Sequence, residues 1–205
     1  MDRKAKLRRK KGFTLTETLI SLVIFMILAG TASSIIMVSM NLFSRSALKN
    51  SAQRVGSELY QLLDNRLTYG KNVTITNSED TMRANYGASG AGIPSEPMTC
   101  VYIPAAGDRV GMGNIIPSNA YVISADEMQG LRAAVTFTEE YSAFPIISLK
   151  VEVFTDDGKD LLYSVEGKIR LLNVTENDIF YSGLIPPSGV SNNYQDLYIG
   201  FTELA

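Results

Sequence analysis

Residues 18–44 carry no charged side chain. The stretch runs through Leu19-Ile20-Ser21-Leu22-Val23-Ile24-Phe25-Met26-Ile27-Leu28-Ala29, passes a small-residue zone at Gly30-Thr31-Ala32-Ser33-Ser34, and becomes apolar again at Ile35-Ile36-Met37-Val38. About 20 mainly apolar residues carry a helix across the hydrocarbon core of a bilayer, so this segment is long enough to span one. On one side of it stand Arg3, Lys4, Lys6, Arg8, Arg9, Lys10 and Lys11, opposed only by Asp2. Basic residues stay cytoplasmic, which predicts an N-terminus inside the cell and a C-terminal bulk outside. Those eight side chains sum to +6. Against −2 for the whole chain, the remainder carries −8. A basic tip on an acidic chain is a topology signal rather than a nucleic-acid-binding surface, because no basic patch recurs further on.

The helical pattern outlasts the apolar segment. Leu48, Ala52, Val55, Leu59, Leu62 and Leu63 recur at three- and four-residue spacing, with Lys49, Arg54, Glu58 and Asp64 between them. That is an amphipathic helix with one face for a core. No proline interrupts residues 13–69, and Gly70 is a natural stop. One helix over this span would measure about 85 Å at 1.5 Å per residue, too long for an ordinary globular helix.

From about residue 73 the pattern changes. Residues 77–120 are rich in Gly, Ser, Asn and Pro and read mostly as loop, with short strands at 100–103 and 121–123. The glycine-rich runs at 87–92 and 107–113 lack phosphate-loop spacing and read as flexible loop. Residues 133–138, 146–155 and 161–172 are β-rich, and the last two alternate polar with apolar, as half-buried strands do. Asp156-Asp157-Gly158-Lys159-Asp160 joins them as a hairpin turn, which accounts for its aspartates without calcium. A short strand is expected at 197–201. Cys100 lies in an apolar run and reads as a buried small hydrophobe. One cysteine makes no intramolecular disulfide. With no histidine, the commonest general base and metal ligand are missing, and no cofactor or metal is expected.

The informative segment is Lys10-Lys11-Gly12-Phe13-Thr14-Leu15-Thr16-Glu17-Thr18-Leu19. A basic leader ends at glycine, phenylalanine follows, and a glutamate comes four residues later at the mouth of the apolar helix. This resembles the processing motif of type IV prepilins and of the pseudopilins of type II secretion and DNA-uptake systems. The resemblance implies cleavage by a prepilin peptidase between Gly12 and Phe13, and N-methylation of Phe13. Glycine suits a scissile position because it adds no side-chain bulk. A carboxylate at the entrance of a membrane helix is costly. The resemblance implies that Glu17 of an incoming subunit neutralises the Phe13 amine of a neighbour and sets register during assembly. The plainer alternative is an acid favoured by the helix macrodipole. Thr14, Thr16, Thr18 and Ser21 are placed to satisfy nearby backbone groups. Residues 29–34 offer either a close helix approach or the small residues common in membrane helices.

The expected fold is α+β: a long N-terminal helix packed on an antiparallel sheet, pilin-like. Residues 1–12 are the leader, 13–44 the transmembrane and assembly helix, 45–70 its amphipathic continuation, and 71–205 an extracytoplasmic β-rich domain. The expected function is a non-enzymatic filament subunit, minor rather than major, of a pilus, a type II secretion system or a DNA-uptake system. Its partners would be the peptidase, other pilin or pseudopilin subunits, an assembly platform protein and, before assembly, membrane lipid. It would reside in the cytoplasmic membrane and then in a cell-surface or periplasmic filament. A competing reading is a secreted or signal-anchored protein, including a hydrolase. Gly30-Thr31-Ala32 could end a signal peptide, but apolar character resumes at Ile35, and Glu17 sits awkwardly there. No Gly-x-Ser-x-Gly nucleophile motif occurs.

Overall fold

The computed structural model describes residues 13–82, 98–114, 120–140, 146–173 and 189–202. The leader at 1–12 and the glycine-rich run at 87–92 lie outside them. The architecture is α+β. Helix α1 covers Leu15–Tyr69. Nine described strands follow: β1 (Lys71–Thr76), β2 (Met98–Ile103), β3 (Val110–Gly113), β4 (Tyr121–Ile123), β5 (Leu131–Glu140), β6 (Ile146–Thr155), β7 (Leu161–Arg170), β8 (Val190–Ser191) and β9 (Leu197–Thr202), with a single-turn helix α2 (Ala125–Met128) before β5. The chain divides into two compact units, residues 1–47 and 48–205.

The expectation of one sheet is refined to two. Sheet A has the order β1-β9-β2-β3-β4, sheet B the order β7-β6-β5-β8, and every described pairing is antiparallel. The strands foreseen at 133–138, 146–155 and 161–172 are β5, β6 and β7. On β6 the side chains of Ile147, Leu149, Val151 and Val153 are buried and those between them half-buried, the period-2 signature of a strand with one face on the core. Two elements depart from expectation. Residues 71–76 form β1 directly after the helix, turning Val73 and Ile75 into the core. Residues 110–113, expected as flexible loop, form β3 between β2 and β4. Glycines at 111 and 113 weaken any local strand preference, and β3 exists through its pairing of Met112 with Val101 and Gly111 with Tyr102.

One core joins the second unit's part of α1 to both sheets. Ala52, Val55, Leu59, Leu63 and Leu67 are buried with Val101, Ile199 and Phe201 from sheet A and with Val135, Leu149 and Val151 from sheet B. The expected helix face is therefore in place, shifted slightly: Leu48 is exposed and Leu62 half-buried. Two glycines set the approach of helix to sheet B. A Cβ on Gly56 would collide with the Tyr163 ring, and one on Gly167 with the Tyr60 hydroxyl. Each aromatic thus fills the space left by a missing side chain on the opposite element, and Ser57 Oγ and Tyr163 OH share a hydrogen bond at 3.1 Å. Gly70 ends the helix as expected; a Cβ there would stand 2.7 Å from the Arg66 carbonyl oxygen.

The chain passes from sheet B to sheet A between β8 and β9, and three polar side chains fix that passage. Asn192, 1% exposed, accepts from Val135 N at 2.6 Å and donates to the carbonyls of Ala133 at 2.9 Å and Pro104 at 3.1 Å. Asp196 accepts from Tyr102 OH and Ala105 N, both at 2.9 Å. Asn77 Nδ2 donates to the carbonyls of Ser191 and Asp196. Cys100, the only cysteine, is a free buried thiol as expected, so these bonds hold the segment with no covalent staple. Asn192→Leu removes the bonds at similar size and strands a buried N–H and two carbonyls. At about 1–3 kcal/mol per orphaned group, it is expected to lower thermal stability more than any exposed substitution in the same turn, as a calorimetric melt would read.

On its outer face sheet A carries a second small cluster, Met82, Cys100 and Tyr198, against which Tyr102 packs. The rings of Tyr102 and Tyr198 lie 5.3 Å apart. Burial, and then the bond to Asp196, push the Tyr102 phenol well above its ordinary value. Burial, followed by the charges of Asp196 and Glu79, pushes Tyr198 up to about 12. Unfolded tyrosines ionise from about pH 10, while these two hold their protons in the fold. Their contribution to stability is whole below pH 10 and is lost as pH climbs through the folded values. Melting temperature should therefore fall steeply above about pH 10, with tyrosinate absorbance appearing together with unfolding. Tyr102→Phe should flatten that fall.

Candidate functional site

The segment singled out by sequence is the start of α1. Gly12 lies outside the described residues. Phe13 precedes the helix and is 79% exposed. Thr14 and Glu17 form a reciprocal cap: Glu17 N donates to Thr14 Oγ1 at 3.3 Å, and Thr14 N donates to Glu17 Oε2 at 3.4 Å. Thr14 Oγ1 lies 3.4 Å from the same carboxylate oxygen and donates to it. This is a capping box, Thr-x-x-Glu, which satisfies two of the backbone donors that a helix start leaves open. It also places an acid in the first turn, where the macrodipole favours one. The carboxylate that sequence reasoning reserved for a neighbour's amine is thus engaged within its own chain. The Thr-x-x-Glu spacing was there to be read; the hydroxyls were foreseen as backbone partners, their reciprocity with Glu17 was not.

Beyond the cap the helix has no apolar partner among the described residues of its own unit. Every residue from Phe13 to Asn50 is exposed, including Leu19, Ile24, Phe25, Leu28, Ile35, Met37 and Phe43. By length and composition this part of α1 can cross a membrane. Its hydroxyls are suited to that medium. Thr18 donates to the Leu15 carbonyl at 2.8 Å, Ser21 to Glu17, Thr31 to Leu28, Ser33 to Ala29 and Ser34 to Gly30. Each of these five hydroxyls is satisfied inside the helix itself, which removes most of the cost of placing it in hydrocarbon. Three of these back-bonds fall within residues 31–34, immediately after Gly30.

Among the described residues no group of three or more histidine, cysteine, aspartate or glutamate side chains is placed to hold a metal ion. In the hairpin turn, Asp157 accepts from Lys159 N at 3.3 Å and pairs with Lys159 Nζ at 3.2 Å, so that carboxylate serves turn geometry.

Neither curated proteins nor solved structures show a match to the chain. Residues 7–33 match the family model described as the prokaryotic N-terminal methylation motif, so the chain carries the type IV prepilin-type cleavage and methylation signal of a pilin- or pseudopilin-like precursor.

Proposed function

We propose that this protein is a subunit of an extracytoplasmic filament, held in the cytoplasmic membrane by residues 13–44 until assembly. A prepilin peptidase removes residues 1–12 by cutting between Gly12 and Phe13, and Phe13 is then N-methylated. The basic leader keeps the N-terminus cytoplasmic, which leaves the β-rich domain, residues 71–205, outside. The observation that carries this reading is the methylation motif at residues 7–33 running straight into a helix whose first half is apolar and exposed. That surface needs lipid first and then the helices of other subunits, delivered to it by an assembly platform protein. The amphipathic continuation, residues 45–70, belongs to the outer domain. The role assigned is structural rather than enzymatic. The place proposed for it is that of a minor subunit of a pilus, type II secretion or DNA-uptake system.

Processing supplies the test. Co-expression with a prepilin peptidase is expected to yield a mature chain beginning at methylated Phe13, read by intact mass and N-terminal sequencing. Gly12→Val should leave the leader attached, since a branched side chain then stands at the scissile bond. Normal cutting of that variant, or a mature chain beginning at Ser33, overturns the assignment; the latter would mark an ordinary signal peptide.

A further inference from the structure

A pocket of about 220 Å³ opens in the outer unit where the 105–106 turn, the start of β5, the β6–β7 hairpin and the turn after β8 meet. Arg132 is its charged wall. The guanidinium donates from Nε to the Ala106 carbonyl at 2.7 Å and from Nη2 to the Ala105 carbonyl at 3.3 Å. Both bonds use the same edge of the group and fix its plane. The end-on fork, the two Nη1 hydrogens and the second on Nη2, keeps its donors, and no carboxylate pairs with it among the described residues. Gly158 keeps the space beside that fork clear. Its φ of 69° belongs to the left-handed region, and a Cβ there would stand 3.2 Å from Nη1.

Two aromatic rings line the same pocket. Phe154 is half-buried on β6, and Tyr194 is 94% exposed at the tip of the turn after β8. Asn193 brings an exposed amide beside them. Tying down the 105–106 turn explains one edge of Arg132. It does not explain the unused fork, or a tyrosine ring left almost wholly in water.

We infer that this pocket is a binding site for an acidic saccharide, with a sugar carboxylate on the Arg132 fork and the ring face against Tyr194. A guanidinium fork matches a carboxylate in a bidentate pair. Aromatic rings offer a flat, weakly polar surface to the C–H face of a pyranose. The size agrees: pockets for drug-sized ligands measure about 300–1,000 Å³, so this smaller one suits a single terminal sugar rather than an extended ligand. Charge narrows the class further. The chain beyond the leader carries −8 overall (−2 less the leader's +6), and Asp156, Asp157 and Asp160 stand exposed on the hairpin at the rim. A singly charged ligand tolerates that field, whereas a polyanion such as nucleic acid is repelled.

The test uses the full chain in detergent micelles, titrated by calorimetry with methyl glucuronide, neutral methyl glucoside and acetate. Glucuronide should bind at least roughly tenfold more tightly than either control, since each control lacks one of the two recognised features. Arg132→Lys keeps the charge and loses the fork, and should weaken glucuronide binding by roughly tenfold. Tyr194→Ala touches no packed residue, so it should weaken binding several-fold with no change in melting temperature. That second variant keeps the result readable if the Arg132 variant loosens its turn. Equal binding of all three probes, no saturable binding, wild-type affinity in Tyr194→Ala, or displacement of glucuronide by a short oligothymidylate at lower concentration each overturns the proposal.

Discussion

Leu59→Asp is expected to unfold the second unit, residues 48–205. Leu59 is fully buried on α1 within the core shared by both sheets. Removing a buried leucine side chain costs about 2–5 kcal/mol. A carboxyl with no partner in the same place adds about 1–3 kcal/mol. A domain of this size is stable by only about 5–15 kcal/mol in total, and the sum, about 3–8 kcal/mol, is of the same order. A fragment starting near Phe43, without the exposed apolar half of α1, should be soluble and folded as wild type and should lose its cooperative melt as Leu59→Asp. The same change at half-buried Leu62 should cost visibly less, because there the carboxylate can reach water. Equal melting temperatures for wild type and Leu59→Asp would remove this helix face from the core.

Glu17→Gln should separate two roles of one side chain, the cap that the structure shows and the pairing with a neighbour's amine proposed for assembly. Glutamine serves the Thr-x-x-Glu/Gln capping box nearly as well as glutamate, so the helix start should persist. The charge, however, is gone. If Glu17 neutralises the Phe13 amine of a neighbouring subunit, that amine enters a low-dielectric bundle without a counter-charge. Incorporation into filaments should then fall sharply, while membrane insertion and cleavage after Gly12 continue. Thr14→Ala is the complementary change: it removes the cap oxygen, worth about 0.5–2 kcal/mol of helix stability, and leaves the carboxylate its charge and the backbone N–H of residue 14. Tagged subunit in sheared filaments, divided by processed subunit in membranes, reads both variants. A sharp loss in Glu17→Gln with near-normal Thr14→Ala supports charge pairing. The reverse pattern reduces Glu17 to its local cap.

How much was legible depended on whether a segment's own residues determine its state. The long helix, its stop at Gly70, the buried Cys100 and the three long strands of sheet B, β5 to β7, were readable because periodicity and composition are local; β8, two residues long, was not. Val73 and Ile75 alternate correctly for a strand, yet β1 was missed because it follows a helix with no turn residue other than Gly70. Val110 looked like part of a glycine-rich loop, and it is a strand residue through its pairing with Ile123 on β4. The division into two sheets was not readable, since it rests on pairings between strands far apart in the chain, such as β9 with β1 and β2. At the processing site the residue types were plain, and the Thr14–Glu17 reciprocity became visible only with the atoms in place. The Arg132 pocket left no trace in sequence, as four separate turns and strands build it.

The position of β9 also sets an order of events. Sheet A places this last described strand between β1 and β2, with Lys71 opposite Thr202 and Met98 opposite the same residue. A chain made from its N-terminus therefore holds β1 with no ladder partner, and β2 with only β3, until residues 197–202 arrive. Contacts of such long sequence separation form late and slowly. Until then the apolar faces of Val73, Ile75 and Val101 and two unsatisfied strand edges stay open to other chains. The nascent subunit thus passes through an interval of vulnerability whose length is set by translation of the stretch between β1 and β9. Factors that shield unpaired strands during that interval would govern its yield more than factors acting on the finished fold.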